Sequence, residues 1–273
     1  MSARRPRTRS RDRPPPPTGP IPVDTGTASF DAVPGTVDQY VLTVNGVPSS
    51  PYRATDPRAL DFDYLRWIAA ALDATHPGGA SVRAVHIGGA ACALARYLDQ
   101  ARPGSRQTVV EIDAALVEWV RTHLDLPRAP GLAIRAADGA AEIARFRPQS
   151  LDVVVRDAFA GDTTPAALTT TEWFDSARSA LKPTGAYVAN VADDPRRSAL
   201  RTEVDGLRTR FSRVAALVDP TRFRRRRRGN VVVVATDADI DLDALGRAAR
   251  RADCEVRTGA RLLSHLGPTE PGR

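Results

Sequence analysis

The sequence contains few of the residues that build metal centres, disulfide frameworks or hydrolase triads. Its two cysteines, Cys92 and Cys254, are far apart, and neither lies in a CxxC or Cys/His spacing. The four histidines are scattered, and no GxSxG sequence is present. These absences argue against a disulfide-stabilised protein, a zinc site and a serine hydrolase, and no metal is expected. The low cysteine content fits a reducing cytoplasm.

Long apolar segments are also missing. No run approaches the ~20 apolar residues that cross a bilayer. The first residues are basic but continue into prolines instead of an apolar stretch, so neither a secretory nor a twin-arginine signal is indicated. With 273 residues, 42% of them hydrophobic and 26% charged, the chain is expected to be a soluble cytoplasmic protein with a sizeable core.

The positive charge is concentrated in two stretches. The net charge is +7, but residues 1–13 hold six arginines and one aspartate, and residues 222–228 hold six arginines. The rest of the chain therefore carries a net charge of −4. The arginines do not alternate with a series of aromatic residues, as a nucleic-acid stacking platform requires. Both stretches are interpreted as solvated segments with no specific nucleic-acid partner; contact with nucleic acid or an acidic membrane is the alternative.

Composition and periodicity divide the chain into four segments. Residues 1–33 are rich in Arg, Pro, Gly and Thr and are predicted to be a disordered basic tail. Residues 34–56 contain two short apolar stretches around an Asn-Gly pair, which predicts a β-hairpin. Residues 57–240 are predicted to form an α/β domain, and residues 241–273 a C-terminal helical segment and tail.

Within the α/β domain, strand and helix patterns alternate. Asp56 is predicted to cap the first helix, with Pro57 at its first position. Of seven predicted strands, the last two cover residues 212–219 and 230–237. Only ten residues separate them, too few for a helical crossover, so they should pair antiparallel. The pattern predicts a doubly wound, methyltransferase-like (Rossmann-like) sheet with a final antiparallel hairpin.

Ligands of such sheets bind at the carboxyl ends of the strands, and this rule selects candidate residues. The first strand of the α/β domain ends at Gly88 and Gly89, where a ligand can approach the backbone; close packing of helix on strand would also require glycine. The second ends at Glu111, a candidate partner for ribose hydroxyls. The third ends at Asp138 and Gly139, near an expected adenine, although Asp138 could equally be a helix N-cap.

The fourth strand of the domain ends in RDAFAGDTTPAALTT, which places Asp157 at the strand tip and Asp162 in the following loop. Two carboxylates there suit a site that binds a cation and removes its proton. Asp157 is the candidate catalytic base and Asp162 a candidate substrate-binding residue. Asp residues in such loops also commonly serve as caps or turn residues.

These stretches resemble the spermidine synthase (polyamine aminopropyltransferase) family, and most closely its divergent bacterial members. The resemblance covers residues 37–237 and rests on VNGVP, DFDY, VHIGG, VVEIDAALVEWV, AADGAAEI and, most specifically, DAFAGDTTPAALTT. It implies the class I S-adenosylmethionine methyltransferase scaffold. The implied activity is transfer of an aminopropyl group from decarboxylated S-adenosylmethionine to a polyamine such as putrescine, releasing methylthioadenosine. A homodimer is also implied.

By this similarity, Asp157 matches the base that deprotonates the amine, and Tyr64 matches a residue that binds it. Glu111 would hold the ribose, and Asp138 and Gly139 the adenine edge.

The chain also departs from the family pattern in the part that binds the amine. Ala91 stands where the family has an Asp that binds the donor's ammonium group. The Gln that usually follows the first hairpin is missing, with Ser49 or Ser50 nearby, and the usual polar neighbour of Tyr64 is Leu65. Two further functions therefore stay open: an S-adenosylmethionine-dependent methyltransferase, and a noncatalytic protein that binds a nucleoside or a partner.

Overall fold

Short apolar stretches between residues 19 and 53 form an antiparallel sheet. The structure, a computed structural model, describes residues 14–89 and 91–266. The strands of this first sheet are β1 (Gly19–Ile21), β2 (Ala28–Ala32), β3 (Gln39–Val44) and β4 (Val47–Arg53). Each strand pairs with the next along the chain. Asn45 and Gly46 connect β3 to β4 with φ angles of 50° and 77°, which confirms the predicted hairpin.

The prediction that residues 1–33 are disordered is wrong for the part that contains β1 and β2. Phe30 of β2 is fully buried. Its ring stacks on Tyr40 at a centroid distance of 5.2 Å and contacts Trp119 at 5.1 Å. The many prolines and arginines of residues 1–33 dominate the composition of this segment. The composition therefore does not reveal that one aromatic residue, Phe30, packs into the core. Residues 1–13 of the predicted tail lie outside the described residues.

The chain after residue 60 forms a second sheet of eight strands. They are β5 (Arg83–Ile87), β6 (Arg106–Glu111), β7 (Leu132–Ala136), β8 (Leu151–Arg156), β9 (Leu181–Asp193), β10 (Arg213–Val218), β11 (Gly229–Thr236) and β12 (Glu255–Thr258). Their order is β12-β10-β11-β9-β8-β5-β6-β7. Neighbours from β9 to β7 are parallel, whereas β10 pairs antiparallel with β11. This arrangement confirms the predicted doubly wound sheet and its final antiparallel hairpin.

The eighth strand was not predicted. β12 lies in the segment 241–273, which was expected to be helical, and pairs antiparallel with β10 at the sheet edge. It has four residues, all partly exposed. A strand of this length carries too little periodicity to be distinguished from a loop.

Helices cover both faces of the second sheet. They are α1 (Asp63–Thr75), α2 (Ala93–Ala101), α3 (Ala114–His123), α4 (Gly139–Ile143), α5 (Thr171–Ala180), α6 (Ser198–Arg208), α7 (Pro220–Arg224), α8 (Leu242–Arg251) and α9 (Gly259–Leu266). Among the described helices, none is long and apolar enough to cross a membrane. Successive residues of β8 point into different apolar clusters: Val154 packs with residues of α5 and α6, and Val153 with residues of α1 and α8.

The first predicted helix starts later than its cap signal indicated. α1 begins at Asp63, and Asp56 instead accepts a hydrogen bond from the Arg58 backbone in a turn, at 3.0 Å. Arg53 of β4 pairs with Asp61 at 2.8 Å. This ion pair fixes the connecting segment beside the first sheet, and the helix begins only after it.

Candidate functional site

A cavity of about 650 Å³ lies at the carboxyl ends of β5, β6 and β8. The strand order reverses around β5, which is where open α/β sheets bind ligands. Residues of the first sheet, among them Val47 and Ser49, form part of its wall. The structure brings all eight predicted site residues to this one cavity: Tyr64, Gly88, Gly89, Glu111, Asp138, Gly139, Asp157 and Asp162.

Two of the predicted glycines are required by packing alone. A Cβ on Gly88 would lie 2.4 Å from the backbone oxygen of Asp157, and one on Gly139 would lie 2.3 Å from a methyl carbon of Ile87. At Gly89 the constraint is conformational, since its φ is 136°. These glycines bring β8 and α4 close to β5. They shape the cavity whether or not they touch a ligand.

The part of the cavity at the ends of β6 and β7, called its inner part below, carries two carboxylates, of which Glu111 is half-buried and Asp138 exposed. Glu111 is the last residue of β6, and one of its oxygens accepts a hydrogen bond from the Asp113 backbone at 3.3 Å. Asp138 caps α4, with Oδ1 accepting from the backbone of Ala140 at 2.8 Å. The N-cap interpretation of Asp138 is therefore correct, but a capping carboxylate still has a second oxygen. Its predicted contact with a ligand stays a prediction.

Asp113 connects the first sheet to this site. Its Oδ2 accepts hydrogen bonds from the backbones of Asp24 and Thr25 at 2.8 and 2.9 Å and from the Thr25 hydroxyl at 2.7 Å. Its Oδ1 caps α3 through the backbone of Leu116 at 2.8 Å. One carboxylate thus holds the loop between β1 and β2 next to the cavity.

Asp157 follows β8 directly, and its carboxylate is hydrogen bonded to two side chains of the cavity. Asn190 of β9 donates from Nδ2 to Asp157 Oδ1 at 2.9 Å, and the Tyr64 hydroxyl also hydrogen bonds to this carboxylate. Burial raises the pKa of Asp157 to about 6, against the opposing effects of Asn190, Tyr64 and Arg156. Burial and the neighbouring carboxylate also raise the pKa of Tyr64 well above its ordinary value, so Tyr64 stays protonated.

Asn190 was missed by the sequence interpretation. It is buried and lines the cavity, and its Oδ1 has no hydrogen-bond partner among the described residues. An ionised carboxylate only accepts hydrogen bonds, so Asp157 takes the amide N–H and leaves the amide oxygen for another donor. The signal for it was one polar residue in the apolar strand GAYVANVA.

A buried ionic network supports the loop that carries Asp157 and Asp162. Arg156 donates to Glu203 at 2.6 Å and to the Tyr187 hydroxyl at 3.0 Å, and all three residues are buried. Its third contact is with the Thr164 hydroxyl at 3.0 Å. Because Thr164 lies in the loop after β8, the network ties that loop to the core.

Asp162 lies at the outer end of the cavity and is already paired. Its carboxylate forms an ion pair with Arg228, and the two side chains are 61% and 59% exposed. Arg228 also lines the cavity and is the last residue of the arginine run. One end of a segment interpreted only as solvated therefore contributes to the site.

The turn after β5 differs from the expectation for Ala91. This residue is fully buried against the first sheet and does not line the cavity. An aspartate there would put a charge among apolar side chains. Cys92 does line the cavity, but burial raises the pKa of its thiol to about 12 and keeps it protonated. Ala90 lies outside the described residues.

Among proteins of solved structure, two are similar to this chain over most of its length. No family model matches it. It is similar to a probable spermidine synthase of Corynebacterium glutamicum, with a TM-score of 0.86 and 33% identity over 92% of this chain and 94% of that one. It is also similar to the spermidine synthase of Thermotoga maritima, with a TM-score of 0.61 and 18% identity over 91% and 84% of the two chains, a likeness of fold alone.

A curated relative matches over a shorter stretch. The polyamine aminopropyltransferase of Neisseria meningitidis is 35% identical over 98 residues, which are 36% of this chain and 37% of that protein. The chain thus spans little more than a third of the length of this relative.

Proposed function

The chain belongs to the spermidine synthase family, and from this premise we propose that it transfers an aminopropyl group from decarboxylated S-adenosylmethionine to an amine. The observation that carries the proposal is the position of Asp157. It lies in one cavity with Glu111 and Asp138 and is flanked by Tyr64 and Asn190. Such an arrangement supplies a base next to a nucleoside-binding wall.

The base is needed because alkyl amines, with pKa values near 10, are protonated at neutral pH. With its pKa raised to about 6, Asp157 is ionised at neutral pH and is a stronger base than an exposed aspartate. The amine nitrogen bonds to the aminopropyl carbon next to the sulfonium, the carbon–sulfur bond breaks, and its electron pair neutralises the sulfur of methylthioadenosine. The proton passes from the amine to Asp157.

Asn190 and Tyr64 fit the binding of that amine. An ammonium group has three N–H donors. The Asp157 carboxylate can accept one, and the unpartnered Oδ1 of Asn190 can accept another. Tyr64 donates to the carboxylate and so holds it in place. On the inner side of the cavity, Glu111 is assigned to the ribose hydroxyls and Asp138 to the adenine edge.

Methyl transfer from S-adenosylmethionine is the second candidate, and the turn after β5 favours it. Ala91 is buried and offers no carboxylate to the donor's ammonium group. Within the described part of that turn, nothing selects a decarboxylated donor over S-adenosylmethionine.

Calorimetric titration of the full chain separates these functions. Decarboxylated S-adenosylmethionine, S-adenosylmethionine and methylthioadenosine are titrated in turn, and products with candidate amines are identified by mass spectrometry. Aminopropyl transfer predicts binding of the first and third ligands and an amine product heavier by one aminopropyl group. Binding of S-adenosylmethionine with a methylated product would favour methyl transfer. No binding of any of the three would contradict both candidates.

A further inference from the structure

The outer end of the cavity offers no free carboxylate to the second ammonium group of a diamine. Its wall there contains Asp162, from the loop after β8, and Arg228, from the segment before β11. The two form an ion pair with each other. Asp162 is therefore already neutralised and is not a free partner for a second ammonium group.

The segment that carries Arg228 keeps excess positive charge. Arg222 pairs with Asp219 at 3.4 Å and Arg224 with Glu255 at 3.6 Å. Within the described chain, the three exposed arginines between Arg224 and Arg228 have no acidic partner within ion-pair distance: Arg225, Arg226 and Arg227. Of this run only Arg228 lines the cavity, but the uncompensated cations next to it in the chain add to a local potential that attracts anions and repels cations.

The two ends of the cavity therefore favour different charges. At Asp157, the Asn190 oxygen and the carboxylate suit an ammonium group. At Arg228, a second ammonium would approach a guanidinium and a cationic segment. A diamine such as putrescine therefore has a suitable group for the Asp157 end but not for the Arg228 end.

We propose that Arg228 makes the outer end of the cavity a carboxylate subsite, and that the acceptor is an amino acid whose amine and carboxylate lie at opposite ends of its carbon chain. The inference rests on the proposed function. A guanidinium has five N–H donors in a planar fork, so Arg228 can contact Asp162 and a ligand carboxylate together. The same chemistry could be supplied by the carboxylate of S-adenosylmethionine, and the experiment separates the two sources.

Three amines with the same carbon chain test the subsite: putrescine, butylamine and 4-aminobutyrate, whose far ends are cationic, neutral and anionic. Each is titrated into the full chain saturated with methylthioadenosine, at low salt because screening weakens exposed charges. We expect 4-aminobutyrate to bind at least about tenfold more tightly than putrescine, with butylamine between them. Transfer from decarboxylated S-adenosylmethionine should follow the same order.

Two variants assign the preference to the ion pair. Arg228→Gln frees the Asp162 carboxylate, so putrescine should bind more tightly and 4-aminobutyrate more weakly than in the wild type. Asp162→Asn frees the guanidinium and should change both affinities in the opposite direction. The matched control is Arg213→Gln, because Arg213 is similarly exposed, pairs with Asp239 at 3.0 Å and does not line the cavity. Arg213→Gln should leave the order of the affinities for the three amines unchanged.

Tighter binding of putrescine than of butylamine to the wild type would overturn the inference, as would an unchanged order in Arg228→Gln. Failure of all three amines to bind would overturn it as well. If Arg228→Gln weakens S-adenosylmethionine but not 4-aminobutyrate, the carboxylate belongs to the donor and the acceptor assignment is wrong. The proposed function fails separately, through loss of methylthioadenosine binding by the wild type, which is measured first.

Discussion

The inner and outer halves of the cavity are built in different ways. In the inner half, Glu111 and Asp138 stand at strand ends, and Gly88 and Gly139 allow contacts that no other residue would fit. In the outer half, Asp162 and its partner lie on loops and are more than half exposed. The inner half is fixed by the packing of the sheet, whereas the exposed side chains of Asp162 and Arg228 in the outer half can be exchanged at little cost to the fold. Selectivity for the acceptor is therefore expected in the outer half.

Asp157 lies at the boundary between the two halves. Its backbone oxygen packs against Gly88, and its side chain contacts Asn190 and Tyr64. The adjacent Arg156 is bound in the core by Glu203. The proposed base is thus held by residues of the core and lies in the same cavity as the exposed pair of the outer half. Substitutions in the two halves should accordingly affect different steps.

The largest expected effect is that of Asp157→Asn on transfer. The amide cannot accept the proton of the amine, so kcat with decarboxylated S-adenosylmethionine should fall by about a thousandfold. Methylthioadenosine affinity should change by less than about threefold, because the amide keeps the shape of the inner half. Steady-state kinetics and calorimetry measure the two quantities.

Asp152→Asn is the control for this substitution. Asp152 lies on the same strand, pairs with Lys182 at 2.7 Å and does not line the cavity. Transfer by this variant should stay within about twofold of the wild type. Equal losses of rate in both variants would mean that damage to β8, not loss of the base, explains the result.

Next in size is the effect of Glu111→Ala on the inner half. Loss of a charged hydrogen-bond acceptor for the ribose costs about 1.5–3 kcal/mol, which weakens methylthioadenosine binding at least about tenfold. The affinity for an amine, measured without nucleoside, should not change. Glu118→Ala on α3 is the control. A folded Glu111→Ala protein with wild-type nucleoside affinity would show that the nucleoside lies elsewhere.

The positions of the inner residues could be predicted from the sequence because their signals are local, whereas their roles in binding stay predictions. A strand followed by glycine or an acidic residue places that residue at the carboxyl edge of the sheet, and Gly88, Glu111 and Asp138 were found in this way. The sequence pattern could not show whether a glycine at a strand end is needed for packing or for binding a ligand. The clash distances show that Gly88 and Gly139 are needed for packing, and a sequence gives no such distances.

The outer half depends on contacts between distant parts of the chain, which spacing does not show. The pair formed by Asp162 and Arg228 joins segments 66 residues apart, and the one formed by Asn190 and Asp157 joins segments 33 residues apart. The first sheet was underestimated for a similar reason. Its anchor, Phe30, is buried against Trp119, a partner that becomes a neighbour only in the folded chain.

A smaller effect is expected from pH and from Tyr64. Transfer requires ionised Asp157, so kcat/KM should fall about tenfold per pH unit below a midpoint near 6, the pKa to which burial raises this carboxyl. Tyr64→Phe removes a hydrogen bond that lowers this pKa, so the midpoint should move to higher pH. Ile68→Val, at a buried position of α1 that does not line the cavity, is the control. Movement of the midpoint to lower pH would contradict the assigned contact.

The smallest expected effect concerns stability, because burial of the proposed base destabilises the folded state at neutral pH. The pKa of Asp157 is raised to about 6 in the folded chain, above the unfolded value of about 3.9. Between these values the folded state binds more protons than the unfolded one, so the free energy of unfolding falls as pH rises through this window. Asparagine is neutral at these pH values, so the Asp157→Asn protein does not lose this part of its free energy of unfolding. Because solvent in the cavity screens part of the charge, Asp157→Asn should be more stable than the wild type by about 1–2 kcal/mol near pH 8.

Urea unfolding near pH 3.5 and near pH 8 measures this difference, and its pH dependence is the informative part. Near pH 3.5 Asp157 is largely protonated in both the folded and the unfolded state, so the variant and the wild type should differ little; the advantage should develop between about pH 4 and 6. Asp152→Asn should show no such gain, because Asp152 forms an ion pair at a partly exposed position. An advantage that is the same at both pH values would indicate better packing of the amide. In that case the raised pKa, and with it the base assigned to the boundary between the two halves, would be wrong.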